Sequence, residues 1–516
     1  MKYLNLFFTF LMAAFTLVAC GGDEEELIEV SVTPNTLEFT TQGGQQSVTV
    51  QGAAANQVSV SANGEWYSMT VVPNNSTSCY VRVKVDVNKD FTTRHAEPTV
   101  SVDGKSYTFK INQEAVPEPV KPDDSVVAAA MAVSRAMGLG WNLGNQLDAQ
   151  ITWGDVTTPV ANETCWGNPL CTQATFDGLK AKGFQSVRIP VTWQGHIGEA
   201  PNYTIDDEWM SRVVEVAGYA KKAGLKAIIN LHHDEGGGST KPNECGWLDI
   251  KTLAYNPTAN AEVEKKLAAV WTQIATRFKD EGDWLIFESM NEIQDGGWGW
   301  GQSMKDGGKQ YACLNHWQQV FVDAVRSTGG QNADRWLCVV GYAQNPQLTR
   351  ENLVLPTDPV NHSNRLIVAV HSYDPFDFCT EGKVGQWGHT GNVASSKNGE
   401  ETLEKIFKAL KETYIDKGIP VIIGEFGCVN RSDAKERQFQ KYFLEYFVRC
   451  GWTYGIACYL WDNGVKTVGN ESFGYIDHGT GQYINYTADF MPAIVNAATD
   501  PDPAYSLETI YKKAPK

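Results

Sequence analysis

Two glutamates, Glu292 and Glu425, stand in the sequence settings that most directly indicate chemistry. Glu292 lies in the string FESMNE and Glu425 in PVIIGEFG, and each follows a short apolar run that predicts a buried strand. Two carboxylates at strand ends can cleave a glycosidic bond, because one moves a proton while the other bonds to the sugar. This interpretation requires that the fold bring both glutamates into one pocket.

The apolar runs before these glutamates belong to a longer series between residues 125 and 495. Eight runs alternate with amphipathic stretches, and they end near Asn145, Val191, His233, Glu292, Gly341, Tyr373, Gly427 and Gly464. Eight alternating units predict an α/β fold, a (β/α)8 TIM barrel, whose active site lies at the carboxyl ends of the strands. A doubly wound sheet alternates in the same way, but no glycine-rich phosphate loop follows the first run.

Side chains that a barrel does not need for packing cluster at these predicted strand ends. They are Asn145 on the first strand, Arg188 on the second, His232 and His233 on the third, Asn291 and Glu292 on the fourth, His371 and Tyr373 on the sixth, Glu425 on the seventh and Trp461 on the eighth. Buried polar groups destabilise a fold unless they are paired, so their convergence favours a functional site.

Glycosidic cleavage gives the two glutamates different roles. A retaining mechanism needs one protonated and one ionised carboxyl group, about 5 Å apart. We expect Glu425 to be the nucleophile, held ionised by Arg188 and the Tyr373 hydroxyl. We expect Glu292 to be the acid/base, with a pKa raised by an apolar pocket and by the negative charge of Glu425.

The remaining strand-end residues are expected to bind the sugar or to orient the glutamates. They are Asn291 for the sugar 2-hydroxyl, Trp461 for the floor under the ring, His232 and His371 for the carboxyl groups, and Asn145 and His233 as further support. Arg188 could instead be an ordinary salt-bridge residue, and Asn145 could simply satisfy loop backbone.

His232, His233 and Asp234 also have the side-chain types of metal ligands. Adjacent strand residues point to opposite faces, so we predict that no metal binds here. We also predict no cofactor, because no motif for one is present. Cys165 and Cys171 are close enough in sequence to be a disulfide candidate, although the sequence leaves the pairing open.

The string GGWGW at residues 296–300 follows the fourth predicted strand. Its glycines predict a mobile loop, and Trp298 and Trp300 offer surfaces on which sugar rings can stack. We therefore predict that this loop lines the substrate cleft. The alternative is a loop packed on its own aromatic side chains.

The strand-end residues together resemble glycoside hydrolase family five. The resemblance extends from Met137 to Asn463, and WNLGN, the WGNP string and RIPVTW look like its subfamily four. It implies an endo-acting β-1,4-glucanase, on cellulose-like, mixed-linkage or xyloglucan chains. The alternatives are a β-mannanase, a transglycosylase with the same carboxylates, and a surface glycan-binding protein whose barrel has lost activity.

The first twenty residues have the pattern of an export signal. Lys2 precedes an apolar stretch that is too short to span a bilayer, and LVAC ending at Cys20 resembles a bacterial lipobox. An acidic tract follows, so we predict lipidation of Cys20 and anchoring at the outer membrane, facing the cell exterior. Simple secretion is the alternative.

Short alternating apolar runs in residues 28–113 predict a small immunoglobulin-like β-sandwich. Its Gly43-Gly44 turn, Trp66, Asn88 and Arg94 before TVSV, and closing Ile111-Asn112-Gln113 resemble a BACON domain, which implies a spacer or a glycan-binding module. Residues 114–124 are predicted to be a proline-rich linker and residues 496–516 a tail.

The formal charge of −17 disfavours nucleic acid as a partner. The expected partners are a β-glucan, the membrane through the N-terminal lipid alone, and neighbouring glycan-binding and transport proteins.

Overall fold

The protein divides into two compact units, Met1–Lys121 and Pro122–Lys516. A computed structural model describes residues 29–90, 92–116, 123–151, 159–236, 246–358, 365–394 and 398–516. The predicted export signal with Cys20, and residues 117–122 of the predicted linker, lie outside the described residues. No helix in the described ranges is both long and apolar enough to cross a membrane.

The first unit is built from strands. They are β1 Ser31–Thr33, β2 Thr36–Phe39, β3 Gly44–Gln51, β4 Val58–Val60, β5 Tyr67–Asn75, β6 Ser78–Val85, β7 Arg94–Ala96, β8 Thr99–Val102, β9 Lys105–Thr108 and β10 Lys110–Gln113. The sheet orders are β1-β3-β6-β5, β2-β10-β7 and β4-β8-β9. Strand β6 alternates as its sequence predicts, with Val81, Val83 and Val85 buried. The all-β prediction for this unit is confirmed.

The second unit contains a closed barrel of eight parallel strands, which confirms the predicted fold class. The strands are β11 Leu139–Asn142, β12 Ser186–Ile189, β13 Lys226–Ile229, β14 Leu285–Glu288, β15 Leu337–Val340, β16 Leu366–Ser372, β17 Val421–Phe426 and β18 Ala457–Leu460. Nearly every strand residue is buried because helices cover the outer face of the sheet, which is why these segments read as continuous apolar runs.

The helices of this unit are α1 Asp124–Arg135, α2 Gln173–Ala181, α3 Asp207–Ala223, α4 Ile250–Leu253, α5 Pro257–Arg277, α6 Lys309–Ser327, α7 Pro346–Asn352, α8 Phe376–Cys379, α9 Gly399–Thr413, α10 Ala434–Tyr454, α11 Met491–Ala497 and α12 Leu507–Tyr511. Helix α9 shows why they form, since Leu403, Phe407 and Leu410 fall on one face and are buried against the barrel.

The two segments at the ends of the barrel unit differ from their predicted form. Asp124, the last residue of the predicted linker, is already the first residue of α1, which Asp123 caps by accepting from the backbone of Ser125. The predicted tail 496–516 is packed onto the barrel, because Ile510 of α12 is buried and Tyr505 donates to Glu445 on α10.

Candidate active site

A cleft of about 620 Å³ lies at the carboxyl ends of the barrel strands. Its lining includes His232, His233, Asn291, Glu292, Trp298, Trp300, His371, Tyr373, Glu425 and Trp461. A carboxylate oxygen of Glu292 lies within 4.8 Å of one of Glu425. The two glutamates therefore share one pocket, at a spacing that suits a retaining mechanism.

Glu425 is held by two donors. Arg188 Nη1 donates to Oε1 at 2.7 Å, and the Tyr373 hydroxyl donates to Oε2 at 3.0 Å. A β-bulge between β16 and β17 shifts the register so that His371 lies directly opposite Glu425. Bulges of this kind redirect side chains next to active sites, and here one brings an imidazole beside the carboxylate.

Glu292 follows β14 in a left-handed backbone conformation, with a φ of 39°. Its backbone N–H donates to Oε1 of Gln344 at 3.0 Å, which holds this strained turn in place. Its carboxylate oxygen Oε1 lies 2.7 Å from Nδ1 of His371. The turn thus directs the Glu292 carboxylate into the cleft toward His371.

Burial affects the charges of the two glutamates and their neighbours. Burial and the negative charge of Glu235 raise the pKa of Glu292 to about 7. Burial and the negative charge of Glu292 also raise the pKa of Glu425, and the positive charge of Arg188 opposes this rise. Burial lowers the pKa of His371 to about 4, so this imidazole is neutral near pH 7. Arg188 contacts Glu425 and not Glu292, so its positive charge favours the ionised form of Glu425 more than that of Glu292.

His232 and His233 lie together at one side of the cleft. Their ring centres are 4.6 Å apart, so the expectation that they point to opposite faces is wrong. Both follow the end of β13, where strand alternation no longer applies. The rings of His232 and Trp461 are nearly parallel at 5.8 Å. Glu235 and Asp148 outweigh burial and raise the pKa of His233 to about 9.

Two predicted site residues of the described ranges, Asn145 and Arg188, do not line the cleft. Arg188 is fully buried and reaches the site through Glu425, whereas Asn145 acts through its backbone. Its backbone has a φ of 54°, its N–H donates to Asp148, and its carbonyl accepts from Asn168. The neighbouring Gly144 lies against the Trp461 ring, where an added Cβ would come within 2.8 Å. Gly144 and Asn145 of the WNLGN string therefore act through their backbone groups, which shape the loop beside Trp461.

Two groups of three potential metal ligands occur among the described residues. They are Asp148 with His232 and His233, and Glu292 with His371 and Glu425. In the first group Asp148 accepts from two backbone N–H groups and His232 Nδ1 lies 3.2 Å from Asn230 Nδ2. In the second group, the Arg188 guanidinium already binds Glu425. The absence of a metal stays a prediction.

The tryptophan loop at residues 296–300 is held in place by hydrogen bonds. Asp295 accepts from the backbone of Gly297 and Ser303, and Gln294 accepts from Trp298. Trp298 is 53% exposed and Trp300 82% exposed, so the loop does not pack on its own aromatic rings. Its glycines serve close packing: a Cβ at Gly299 would lie 2.2 Å from Leu348.

Several residues of the site were missed by the sequence reasoning. Asn142, Asn230, Glu288 and Gln344 are buried beneath the cleft, and Phe376 and Phe473 line it. Asn230 and Gln344 contact cleft residues directly, whereas Asn142 and Glu288 bind Arg188. Glu288 and Asn142 stand in the same strings, FESMNE and WNLGN, that were already singled out. Cys165 and Cys171 are free thiols in the structure, so the suggested disulfide is not formed.

Comparison with known proteins decides the family. The family model for cellulase (glycosyl hydrolase family 5) matches residues 152–467, and the BACON model matches residues 55–114. This chain belongs to glycoside hydrolase family 5. Members of that family retain the anomeric configuration, so the barrel unit is a retaining glycoside hydrolase, and it is of the endoglucanase type.

Related proteins in family 5 match most of the chain. Endoglucanase A of Ruminococcus albus is 38% identical over 356 residues, 68% of this chain and 88% of that protein. A xyloglucan-specific endo-β-1,4-glucanase of Bacteroides ovatus is 30% identical over 483 residues, 89% of this chain and 91% of that protein. The solved structure of a GH5-4 broad specificity endoglucanase from Bacteroides salanitronis has a TM-score of 0.66 at 50% identity, and covers 72% of this chain and 95% of that one.

Proposed function

We propose that Glu425 is the nucleophile and Glu292 the acid/base of this retaining endo-β-1,4-glucanase. The two carboxylates have different hydrogen-bond partners, and this difference supports these roles. Arg188 and Tyr373 donate to Glu425, whereas Glu292 faces the neutral imidazole of His371. A cation and a hydroxyl favour the ionised form of one carboxylate, and burial favours the protonated form of the other.

The reaction then proceeds by two displacements. Glu425 attacks the anomeric carbon while the proton of Glu292 moves to the leaving oxygen, which gives a glycosyl ester on Glu425. Ionised Glu292 next takes a proton from water, and the water oxygen replaces Glu425 at the same carbon. Because the ester removes the negative charge of Glu425, the pKa of Glu292 falls between the steps, which suits its change from acid to base.

Asn291 and Trp461 supply the proposed contacts to the sugar at the bond that breaks. Arg188 Nη2 donates to Oδ1 of Asn291 at 2.8 Å, so the amide nitrogen is the group left to donate to the sugar 2-hydroxyl. The Trp461 ring lines the cleft and offers an apolar face for stacking. His371 orients the Glu292 carboxyl, and His232 supports the edge of the Trp461 ring.

We propose that the substrates are soluble β-1,4-glucans, with xyloglucan among them. The relative that is specific for xyloglucan aligns over both units of this chain. The cleft has strongly exposed Trp298 and Trp300 on one wall, which offers stacking surface without enclosing the glucan chain. A β-mannanase would instead have to accept an axial 2-hydroxyl beside Asn291.

Reducing-sugar release from five polysaccharides tests the substrate. We expect activity on barley β-glucan, xyloglucan and carboxymethylcellulose, weaker activity on glucomannan, and none on galactomannan. Activity confined to galactomannan would overturn the glucanase proposal. Product analysis at high acceptor concentration separates hydrolysis from transglycosylation.

Separate variants test the two carboxylate roles. Glu425→Gln should abolish hydrolysis of β-glucan, and Glu292→Gln should lower kcat by about 10²-fold or more because the leaving oxygen is no longer protonated. Both variants should still bind the polysaccharide. Glu508→Gln, at an exposed position on α12, is the control. Wild-type rates in Glu425→Gln would overturn the assignment of Glu425 as the nucleophile. The absence of hydrolysis by the unaltered protein would instead leave the glycan-binding interpretation.

We also propose that the protein is lipidated at Cys20 and anchored on the cell exterior, with the β-unit as a spacer. The lipobox-like string supports the anchor. Among the described residues of the first unit, Tyr80 is the exposed aromatic side chain, a poor platform for a glycan. Cys20→Ala should move the protein from the membrane fraction to the medium. Deletion of residues 28–113 should leave kcat/KM on soluble xyloglucan unchanged.

A further inference from the structure

Glu288, the last residue of β14, is fully buried beneath the cleft. Three side chains donate to its carboxylate. Arg188 Nε reaches Oε2 at 2.7 Å, Asn230 Nδ2 reaches the same oxygen at 3.1 Å, and Gln344 Nε2 reaches Oε1 at 3.3 Å. Burying an ionised carboxylate is costly, and these three donors offset that cost.

Each of these donors also binds a residue of the active site. Arg188 Nη1 donates to Glu425, Gln344 Oε1 accepts from the backbone N–H of Glu292, and Asn230 Nδ2 lies 3.2 Å from His232 Nδ1. A single side chain therefore stands between Glu288 and each of three residues that line the cleft. We call Glu288, Arg188, Asn230 and Gln344 the Glu288 network.

We propose that Glu288 is a positioning residue, which fixes the placement of the two catalytic carboxylates and shares the charge of Arg188 with Glu425. This inference rests on the roles proposed above for Glu292 and Glu425. Glu288 does not line the cleft and touches no substrate, so it acts through Arg188 and Gln344. Rigid support of this kind is what holds reacting groups in productive geometry.

Backbone strain at the same place supports the positioning role. Glu292, Ala343 and Gln344 have positive φ angles of 39°, 53° and 46°. The two strained segments are joined by the Ala343 N–H, which donates to the carbonyl of Ile293 at 2.9 Å, and by the Gln344 side chain. Strained residues persist only where their surroundings hold them, and Gln344 is in turn held by Glu288.

The charges in the Glu288 network predict a second effect. Arg188 brings one positive charge to two buried carboxylates, at 2.7 Å from each. A neutral amide at position 288 would leave that charge to Glu425 alone, which makes Glu425 more acidic. It would also remove a negative charge that helps to raise the pKa of Glu292. Both limbs of the pH profile would then move to lower pH.

The first test compares Glu288→Gln with a matched control. Glu288→Gln should lower kcat on β-glucan by about 10²-fold with KM unchanged, and should shift both limbs of the kcat/KM profile to lower pH. Asp358→Asn removes a carboxylate from another buried arginine pair, in which Arg326 donates to Asp358 at 2.9 and 2.8 Å. This control should lower the Tm and leave the pH profile unchanged.

A second variant tests the contacts through which Gln344 links Glu288 to Glu292. Gln344→Leu should lower kcat/KM, which reports the first displacement, on β-glucan. It should spare kcat/KM on an aryl β-cellobioside with a dinitrophenolate leaving group, which departs without a proton. Glu288→Gln should slow both substrates because it also affects Glu425.

Three results would overturn the proposal: wild-type kcat in Glu288→Gln, a loss of kcat with no shift in the pH profile, or equal losses on both substrates in Gln344→Leu. The last result is decisive even if Glu288→Gln fails to fold. Failure of the proposed carboxylate roles would appear separately, as activity in Glu425→Gln.

Discussion

The Tyr373 hydroxyl gives the sharpest test of the environment proposed for the nucleophile. It donates to Oε2 of Glu425 at 3.0 Å, and Arg188 occupies the other oxygen. Tyr373→Phe keeps the ring, including its edge-on contact with Phe473 at 5.9 Å, and removes only the hydroxyl. Oε2 then keeps only the neutral His371, 3.7 Å away.

The size of the effect follows from the charge on the acceptor. A hydrogen bond to a charged group contributes about 1.5–3 kcal/mol. One pKa unit corresponds to about 1.4 kcal/mol, so losing this donor should raise the pKa of Glu425 by about 1–2 units. The group that must be ionised is then protonated at higher pH. The acid limb of kcat/KM should therefore move up by about 1–2 pH units, while the alkaline limb moves little.

The assay is kcat/KM against pH on a soluble β-glucan for the wild type, Tyr373→Phe and Tyr414→Phe. Tyr414 donates to the carbonyl of Thr349 at 2.9 Å and is buried outside the cleft, so its variant controls for loss of a buried tyrosine hydroxyl. An acid limb that stays in place in Tyr373→Phe would refute the argument that this hydroxyl holds Glu425 ionised.

Two further predictions concern the acid/base and the cleft wall. Glu235→Gln removes a negative charge that raises the pKa of Glu292 to about 7, so the alkaline limb of kcat/KM should move to lower pH; a shift to higher pH would contradict this cause. Replacing both Trp298 and Trp300 with alanine should raise KM for polysaccharide and leave kcat on an aryl cellobioside unchanged, since stacking surface is lost while the two carboxylates keep their partners. Unchanged KM would show that the exposed rings do not contact the glucan.

The barrel and most of the cleft lining could be predicted from the sequence because both depend on local patterns. Eight predicted runs ended within four residues of eight strand ends, and Glu292, His371, Tyr373 and Glu425 lie at the ends of β14, β16 and β17 in the closed sheet. A parallel barrel brings all strand ends to one face, so order along the chain was enough to place these side chains together.

Features that depend on backbone geometry after the strands could not be predicted. The rule of alternating faces failed for His232 and His233 because β13 ends at Ile229, before either residue. The sequence position of Asn145 indicated a site residue, but its backbone N–H and carbonyl make hydrogen bonds that shape the loop after β11. The glycines of the tryptophan loop suggested mobility, but Asp295 and tight packing hold the loop in place.

The difference between the two glutamates is also a matter of three-dimensional pairing rather than of sequence spacing. Both follow apolar strands, and burial is the largest cause that raises both pKa values, although Glu425 is buried and the Glu292 side chain is 21% exposed. Arg188 breaks this symmetry, because its Nη1 contacts Glu425 while its Nε contacts Glu288 and neither contacts Glu292. A fixed cation beside Glu425 and a neutral imidazole beside Glu292 support the proposed placement of the proton on Glu292. Moving the Arg188 guanidinium away from Glu425 would remove the difference between the two carboxylates. The proposed roles of Glu425 as nucleophile and Glu292 as acid/base therefore depend on where Arg188 is held.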